Sequence, residues 1–512
     1  MVNRVLLRGF LAGVLVLLGG LVVSALPRSS HPMRSSVLVA LRDAEAGRML
    51  GLAVVLLGLG LLAGQWLALC RHVAQVPAED RDDALALVRH AAVVWSAPLL
   101  LAPPLFSRDG WSYAAQGMLA HLGLSPYDHG PGVLSGPILQ AVDPRWRETP
   151  APYGPVSLFF GDVVAGTTGN PWMLVVAHRS LALVGLALLA WALPRLARHT
   201  GANPALASAL VLLSPLMLAH GVGGLHNDLL MVGLMAVALV VGLERSWMAG
   251  CLLGGLAAAV KLPGGLVCLA IVLASLPAAA GLAERVRRLG AGAVLAVAAL
   301  LGTGLVTGLG SGWVHGLTVP GTVVTPLSPV PMLGGALDWT AGRLLDLAPA
   351  TFLDLARLLG MVATVVVLGA VALRWRSGDA AEAVRELALV TGVTVVLGPV
   401  VHLWYLLWVV PFVALLRLPR LGAAALMAVS VLAGLVAPLD SSLHGAYLAI
   451  VLGAMLVAAL TPVLLLTRRA RRRLERIAAA RWLPVEPSGD VATRGQRGSQ
   501  LVVHGEHPLD RG

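Results

Sequence analysis

The chain has 512 residues, of which 57% are hydrophobic and only 12% charged, against roughly 25% charged in soluble domains. With a mean hydropathy of +0.83, that composition excludes an ordinary soluble globule and implies an all-α polytopic membrane protein. The net charge of +11 would suit nucleic acid. Yet arginines 468, 469, 471, 472, 473 and 476 cluster directly after an apolar run, so topology and anionic lipid headgroups account for them and no nucleic-acid partner is expected.

In chain order, about 14 apolar runs are long enough, with tilt, to cross or nearly cross a bilayer of about 30 Å. They lie near 5–26, 49–69, 90–106, 172–194, 204–221, 228–243, 247–261, 264–280, 289–309, 353–373, 386–401, 403–417, 421–437 and 445–467. The first, preceded by Arg4 and Arg8 and ending Val23-Ser24-Ala25, reads as an uncleaved anchor with a cytoplasmic N-terminus, a signal peptide being the alternative. Residues 1–89 then form N-terminal helices and their loops, 90–467 a catalytic membrane domain, and 468–512 a basic cytoplasmic tail whose distal part, 482–512, is expected to be disordered. Cys70, Cys251 and Cys268 lie in or beside apolar runs with no metal spacing and read as packing residues.

Threading these runs from a cytoplasmic start puts Arg195/Arg198, Arg245, Arg285/Arg287/Arg288, Arg374/Arg376 and Arg417/Arg420 inside, as the positive-inside rule requires. The first outer loop, with Arg28, Arg34, Arg42 and Arg48, is the exception. The same threading brings the loop 107–171, the triplet His226-Asn227-Asp228, Lys261, the loop 310–352 and His402 to one extracytoplasmic face. It requires the apolar run 156–168 to be re-entrant or packed under the loop, with Asp162 facing water.

The polar residues that punctuate the apolar runs are candidates for chemistry. Asp109 opens the long loop as Arg108-Asp109-Gly110-Trp111-Ser112-Tyr113, where a carboxylate at the mouth of a membrane cavity can accept a hydroxyl proton and Arg108 can bind phosphate. An interfacial pair between Arg108 and Asp109 is the plain alternative. The turns Gly123–Asp128 and Pro150–Pro155 carry Tyr127 and Tyr153, and with Trp146 these offer flat faces for sugars or an aromatic belt. Arg179 is an intramembrane cation and a second possible phosphate partner. His226-Asn227-Asp228 either bind hydroxyls, orient Lys261, or cap the following helix. His226 and Asp228 alternate and no second acidic or histidine cluster lies near in sequence, so no metal site is expected.

Lys261 is the only lysine in the chain and stands in an apolar stretch just before Pro263-Gly264-Gly265. A cation there needs an anion, water or a protein-lined cavity, and the helix break beside it suits an anionic ligand; snorkelling to the interface is the alternative. Replacement by methionine, with its straight apolar chain, is expected to preserve folding. Further on, Pro399-Val400-Val401-His402-Leu403-Trp404-Tyr405 places a histidine and aromatics at a helix junction, with Trp404 and Trp408 expected on one helix face.

Asp109–Gly117, Gly123–Tyr127, Pro152–Pro155, His226-Asn227-Asp228 and Lys261 occur in the order seen in actinobacterial polyprenol-phosphomannose-dependent α-1,6-mannosyltransferases, and residues 90–415 resemble that family. Gly110 and Leu403 depart from its usual pattern. The resemblance implies a GT-C integral membrane glycosyltransferase of about 14 helices, with an extracytoplasmic catalytic loop. It implies a polyprenyl phosphate mannose donor, a lipid-linked mannan acceptor and no cofactor. It carries over Asp109 as the base; Lys261, with Arg179 or Arg108, at the donor phosphate; and Tyr113, Tyr153, His226, Asn227, Asp228, His402 and Trp404 at the substrates, with inversion at the anomeric carbon. The rival readings are a GT-C enzyme using another lipid-linked sugar, such as an arabinofuranosyl donor, and a secondary transporter or flippase.

Overall fold

The computed structural model describes residues 2–322, 325, 327–439 and 467–478. Among these the chain is helical throughout, with no strand. Six helices are long and apolar enough to cross a membrane: Asn3–Val23, Glu45–Ala74, Ala78–Leu101, Pro171–Thr200, Leu282–Val306 and Thr351–Arg374. Pro204–Leu212 and Met217–Gly223, bent by 65°, make a seventh if counted as one span. Such a chain is a polytopic membrane protein. Arg468–Ala478 forms a basic helix. The run 445–467, all but its last residue, and the tail 482–512 lie outside the described residues.

Of the about 14 runs expected to cross or nearly cross, six, or seven with the bent pair, have the helix length and composition of a full span among the described residues. The other described runs fold as shorter pieces: Asp228–Glu244 and Ala380–Val396 have 17 residues each, and Trp247–Ala258 has 12. At 1.5 Å per residue a 12-residue helix covers about 18 Å, well short of a bilayer core. Breaks fall where proline and glycine remove a donor or loosen the backbone, around Pro215, at Pro263-Gly264 and at Gly398-Pro399. Irregular backbone at membrane depth is tolerated where protein buries it or a cavity faces it, and the segments on either side of the last two breaks wall the cavity described below.

The segment 107–171 is not an open loop. It contains the helices Asp109–His121, Pro137–Ala141 and Pro155–Ala165, the first and third packed face to face. Gly117 and Gly161 make that contact: a Cβ on Gly117 would stand 2.5 Å from Gly161 Cα, so neither position admits a side chain without separating the helices. Pro155–Ala165 has 11 residues, about 16 Å, too few to cross, and Asp162 on it pairs with His121 at 3.3 Å where both are exposed. Within the run 156–168, expected to be re-entrant or packed under the loop, this short helix is packed on the 109–121 helix.

The three cysteines are buried and free, as packing residues should be. The large core unites the first three long helices with the central bundle, including Trp66 and Trp95. A smaller core under the 107–171 segment holds Trp111, Tyr113 and Leu119.

Candidate active site

Two turns deliver the principal acids and histidine. Asp109 starts its helix, where unpaired backbone N–H groups favour a carboxylate, and its own N–H donates to Ser107 Oγ at 3.1 Å. Phe106, just before it, has φ 61°, and Leu225, just before His226, has φ 62°. Non-glycine residues held there store about 1–3 kcal/mol each, which the surroundings must over-determine. They do so directly: Leu105 N–H donates to Gly223 O at 2.9 Å, tying one turn to the other.

Arg179 completes the tie. Its guanidinium donates to Val222 O at 2.7 Å, Gly223 O at 3.3 Å and Ala102 O at 2.6 Å, and the side chain is 2% exposed and does not line the cavity. The phosphate contact expected of Arg179 gives way to a scaffold role, because three backbone carbonyls left over by the bends at 102 and 222–223 already occupy its fork. Arg108 likewise lies off the cavity, part-exposed at the start of the 109–121 helix.

Lys261 follows the end of the Trp247–Ala258 helix with extended backbone, φ −155° and ψ 133°, and turns inward instead of snorkelling. Its ammonium donates to Asp228 Oδ1 at 2.9 Å and sits 4.5, 5.2 and 5.9 Å from the ring centres of Tyr405, Trp408 and Tyr153. Aromatic faces around a cation hold it by their quadrupoles while leaving its remaining N–H donors for another ligand. The break that places Lys261 is clamped by the Pro-Tyr-Gly-Pro turn: Gly154 N–H donates to Val260 O and Val156 N–H to Ala259 O, both at 3.0 Å. A Cβ on Gly154 would meet Ala259 O at 2.1 Å, so only glycine permits this approach.

Asp228 is fully buried and receives Lys261 and, at 2.6 Å, Trp408 Nε1 on the same oxygen. Of the three roles open to the triplet, capping does not occur: Asn227 precedes the helix but its side chain makes no cap. Orienting Lys261 is what Asp228 does. His226 Nδ1 stands 3.5 Å from Asp109 Oδ2, and its ring lies on Trp404 at 3.9 Å and 14°. His402 covers the other face of Trp404 at 4.2 Å and 6°, so the indole is sandwiched between two imidazoles. Asn227 is buried without lining the cavity.

The segment Leu403–Trp408 is a tight three-residue-per-turn helix, not an α-helix, so Trp404 and Trp408 do not share a face. Tyr405 and Trp408, three apart, stack at 4.3 Å instead. Tyr113 packs edge-on to Tyr153 at 5.0 Å and lies behind it; Tyr153 is the one that faces the cavity. Burial raises both phenols well above their ordinary value, so they act as neutral hydroxyls. Tyr127 is a packing residue with Ala151 and Leu158.

Asp109, Tyr153, Lys261, His402 and Trp404 thus open onto one cavity of about 310 Å³, with His226 and Asp228 directly behind. Burial pushes the Asp109 carboxyl upward, but His226, then His402 and Lys261, outweigh it and hold it below the usual carboxylate range, so it is ionised at neutral pH. Sequence reasoning gave no site role to Ser112 and Gln116, which also line the cavity, as do Tyr405 and Trp408 of the aromatic junction. Ser112 and Gln116 lie at i+3 and i+7 from Asp109, a helical spacing that was readable once the segment is taken as a helix. A second, apolar crevice of about 520 Å³ runs between the 262–275 segment and the helices Leu282–Val306, Thr351–Arg374 and Ala380–Val396, and it shares Leu262, Pro263 and Thr394 with the first.

Most of the chain matches known proteins. Residues 6–277 match the family described as "Alpha-(1->6)-mannopyranosyltransferase, N-terminal domain", and residues 331–468 match the MptB C-terminal domain. Alpha-(1->6)-mannopyranosyltransferase A of Mycobacterium tuberculosis is 33% identical over 449 residues, covering 86% of this chain and 85% of that one. The chain belongs to the α-(1→6)-mannopyranosyltransferase family. A probable alpha-(1->6)-mannopyranosyltransferase of Mycolicibacterium smegmatis is 31% identical over 92% of this chain and 89% of its own length. The A enzyme of Corynebacterium glutamicum is 39% identical over 42% of this chain and 45% of its own. No solved structure matches. The family profiles reach beyond the 90–415 resemblance at both ends, taking in nearly all of the first two long helices.

Proposed function

We propose that this member of the family transfers mannose from a polyprenyl phosphate mannose donor to a lipid-linked α-1,6-mannan, as a GT-C enzyme whose catalytic membrane domain is 90–467. The observation that carries the reading is the junction of the two cavities at Lys261. A chamber that sets an ionised carboxylate and a histidine among aromatic and apolar walls meets an almost wholly apolar crevice at Leu262 and Pro263, with the chain's single lysine at the boundary. A mannosyl phosphate on a long apolar chain has that same division: sugar in the chamber, phosphate at the ammonium, hydrocarbon in the crevice between lipid-facing helices.

The chemistry is a single displacement. Asp109 accepts the proton of the acceptor hydroxyl as its oxygen forms a bond to the anomeric carbon, and the bond from that carbon to the phosphate oxygen breaks with its electron pair. Attack opposite the leaving group inverts a β-linked donor to an α-linked product. Lys261 stabilises the departing polyprenyl phosphate, charge meeting charge in a site where aromatic rings limit water. His226 holds Asp109 from behind, and Trp404, fixed between His226 and His402, presents its indole edge to the chamber. Membranes containing the protein, incubated with radiolabelled polyprenyl phosphate mannose and mannan acceptors, should elongate the glycan; equal labelling in membranes without it removes this function.

The chamber opens on the extracytoplasmic side in this reading, with both termini cytoplasmic. That reading puts Val133, 55% exposed on the 107–171 segment, outside and Gly281, an exposed position where a side chain meets no neighbouring atom, inside. Val133→Cys should react with a membrane-impermeant thiol reagent in intact cells and Gly281→Cys should not, since the native cysteines are buried. The reverse pattern would turn the whole topology over.

A further inference from the structure

The proposed reaction needs a place for the attacking saccharide, and resting on that reading, we propose that one face of the 109–121 helix is the acceptor subsite, with Ser112 and Gln116 recognising sugar hydroxyls beyond the reacting one. Asp109, Ser112 and Gln116 follow one another at i, i+3 and i+7 and all line the chamber. Over seven residues the helix rises about 10 Å, so the stripe runs well past the single hydroxyl that Asp109 deprotonates.

Each of the two outer residues carries an unpaired polar atom. Ser112 is 4% exposed and Gln116 3%, yet Ser112 Oγ and Gln116 Oε1 are buried with no hydrogen-bond partner. A polar atom buried unpaired costs free energy that a ligand hydroxyl returns, and a site built this way rejects analogues lacking that hydroxyl. Trp146, Thr149, Pro150 and Pro152 line the same chamber and add an indole and proline edges suited to the apolar face of a sugar ring. The donor is provided for separately, its phosphate at Lys261 and its chain in the apolar crevice, which leaves this polar stripe to a neutral oligosaccharide. Gly117, the next residue, is spent on the close contact with Gly161, which holds the stripe against the chamber.

The test separates this subsite from the donor. Binding of α-1,6-linked mannotriose to the full-length protein in detergent, followed by tryptophan fluorescence or calorimetry, needs no donor and no turnover. Gln116→Met, close in shape but without the amide, should weaken mannotriose binding about tenfold, and Ser112→Ala, which removes only a hydroxyl, about threefold or more. In transfer assays the acceptor KM should rise to match, with the donor KM unmoved. Mannotriose that binds wild type and both variants equally, or not at all, overturns the subsite. A rise in donor KM instead would give the face to the donor sugar and overturn it too. Failure of the enzyme to use polyprenyl phosphate mannose, with the mannotriose results intact, would sink only the donor assignment.

Discussion

Asp109→Asn should lower turnover by about 100-fold or more while leaving the fold intact, because asparagine keeps size and hydrogen bonding but cannot take up a proton. The carboxylate is held ionised beside His226 and Lys261, which is the state a base needs. Single-turnover kinetics with saturating donor and acceptor, and detergent melting as the folding control, give the result. Wild-type turnover would require another base. Asp228 cannot readily supply it, being fully buried with one oxygen taken by both Lys261 and Trp408.

The second large effect is at Lys261, and here the structure reverses an expectation drawn from the sequence. Lys261→Met suits an apolar stretch on residue type, but Asp228 is fully buried and Lys261 is its cationic partner at 2.9 Å. Breaking a buried pair by removing one member typically costs about 3–5 kcal/mol, since the other charge stays behind unpaired. The single variant should therefore melt markedly lower. Lys261→Met combined with Asp228→Asn removes both charges, keeps an acceptor for Trp408 Nε1, and should recover most of that stability without recovering donor use. Lys261→Arg should keep part of the activity, as charge survives in a different geometry. Donor KM and turnover for these variants, beside their melting temperatures, separate the ion pair's structural role from phosphate binding; wild-type donor use by the double variant would exclude the phosphate role.

Arg179 and Lys261 show how far residue type alone reaches. Both are cations in apolar sequence, and a phosphate role was open to both. Lys261 faces the chamber, whereas Arg179 serves three carbonyls from bends far away in sequence. Nothing local distinguishes them, because the carbonyls that capture Arg179 become orphans only when the 97–106 and 217–225 segments turn.

What the sequence determined by itself is the part governed by local composition and order: a helical membrane protein, breaks at Pro263 and Pro399, a non-spanning 156–168 run, family membership, and the set of polar residues that apolar surroundings single out. Asp109, His226, Asp228, Lys261 and His402 were all legible in that way, because each is costly where it stands without a partner. The tertiary structure alone decided which partner each has. Pairing of Lys261 with Asp228 across 33 residues, and of Trp408 with Asp228 across 180, depends on how broken helices cross, and no periodicity encodes that. Helix length was decided there too, since a run of apolar residues fits an intact span and two short helices around a bend equally well, until a cavity is there to receive the bend.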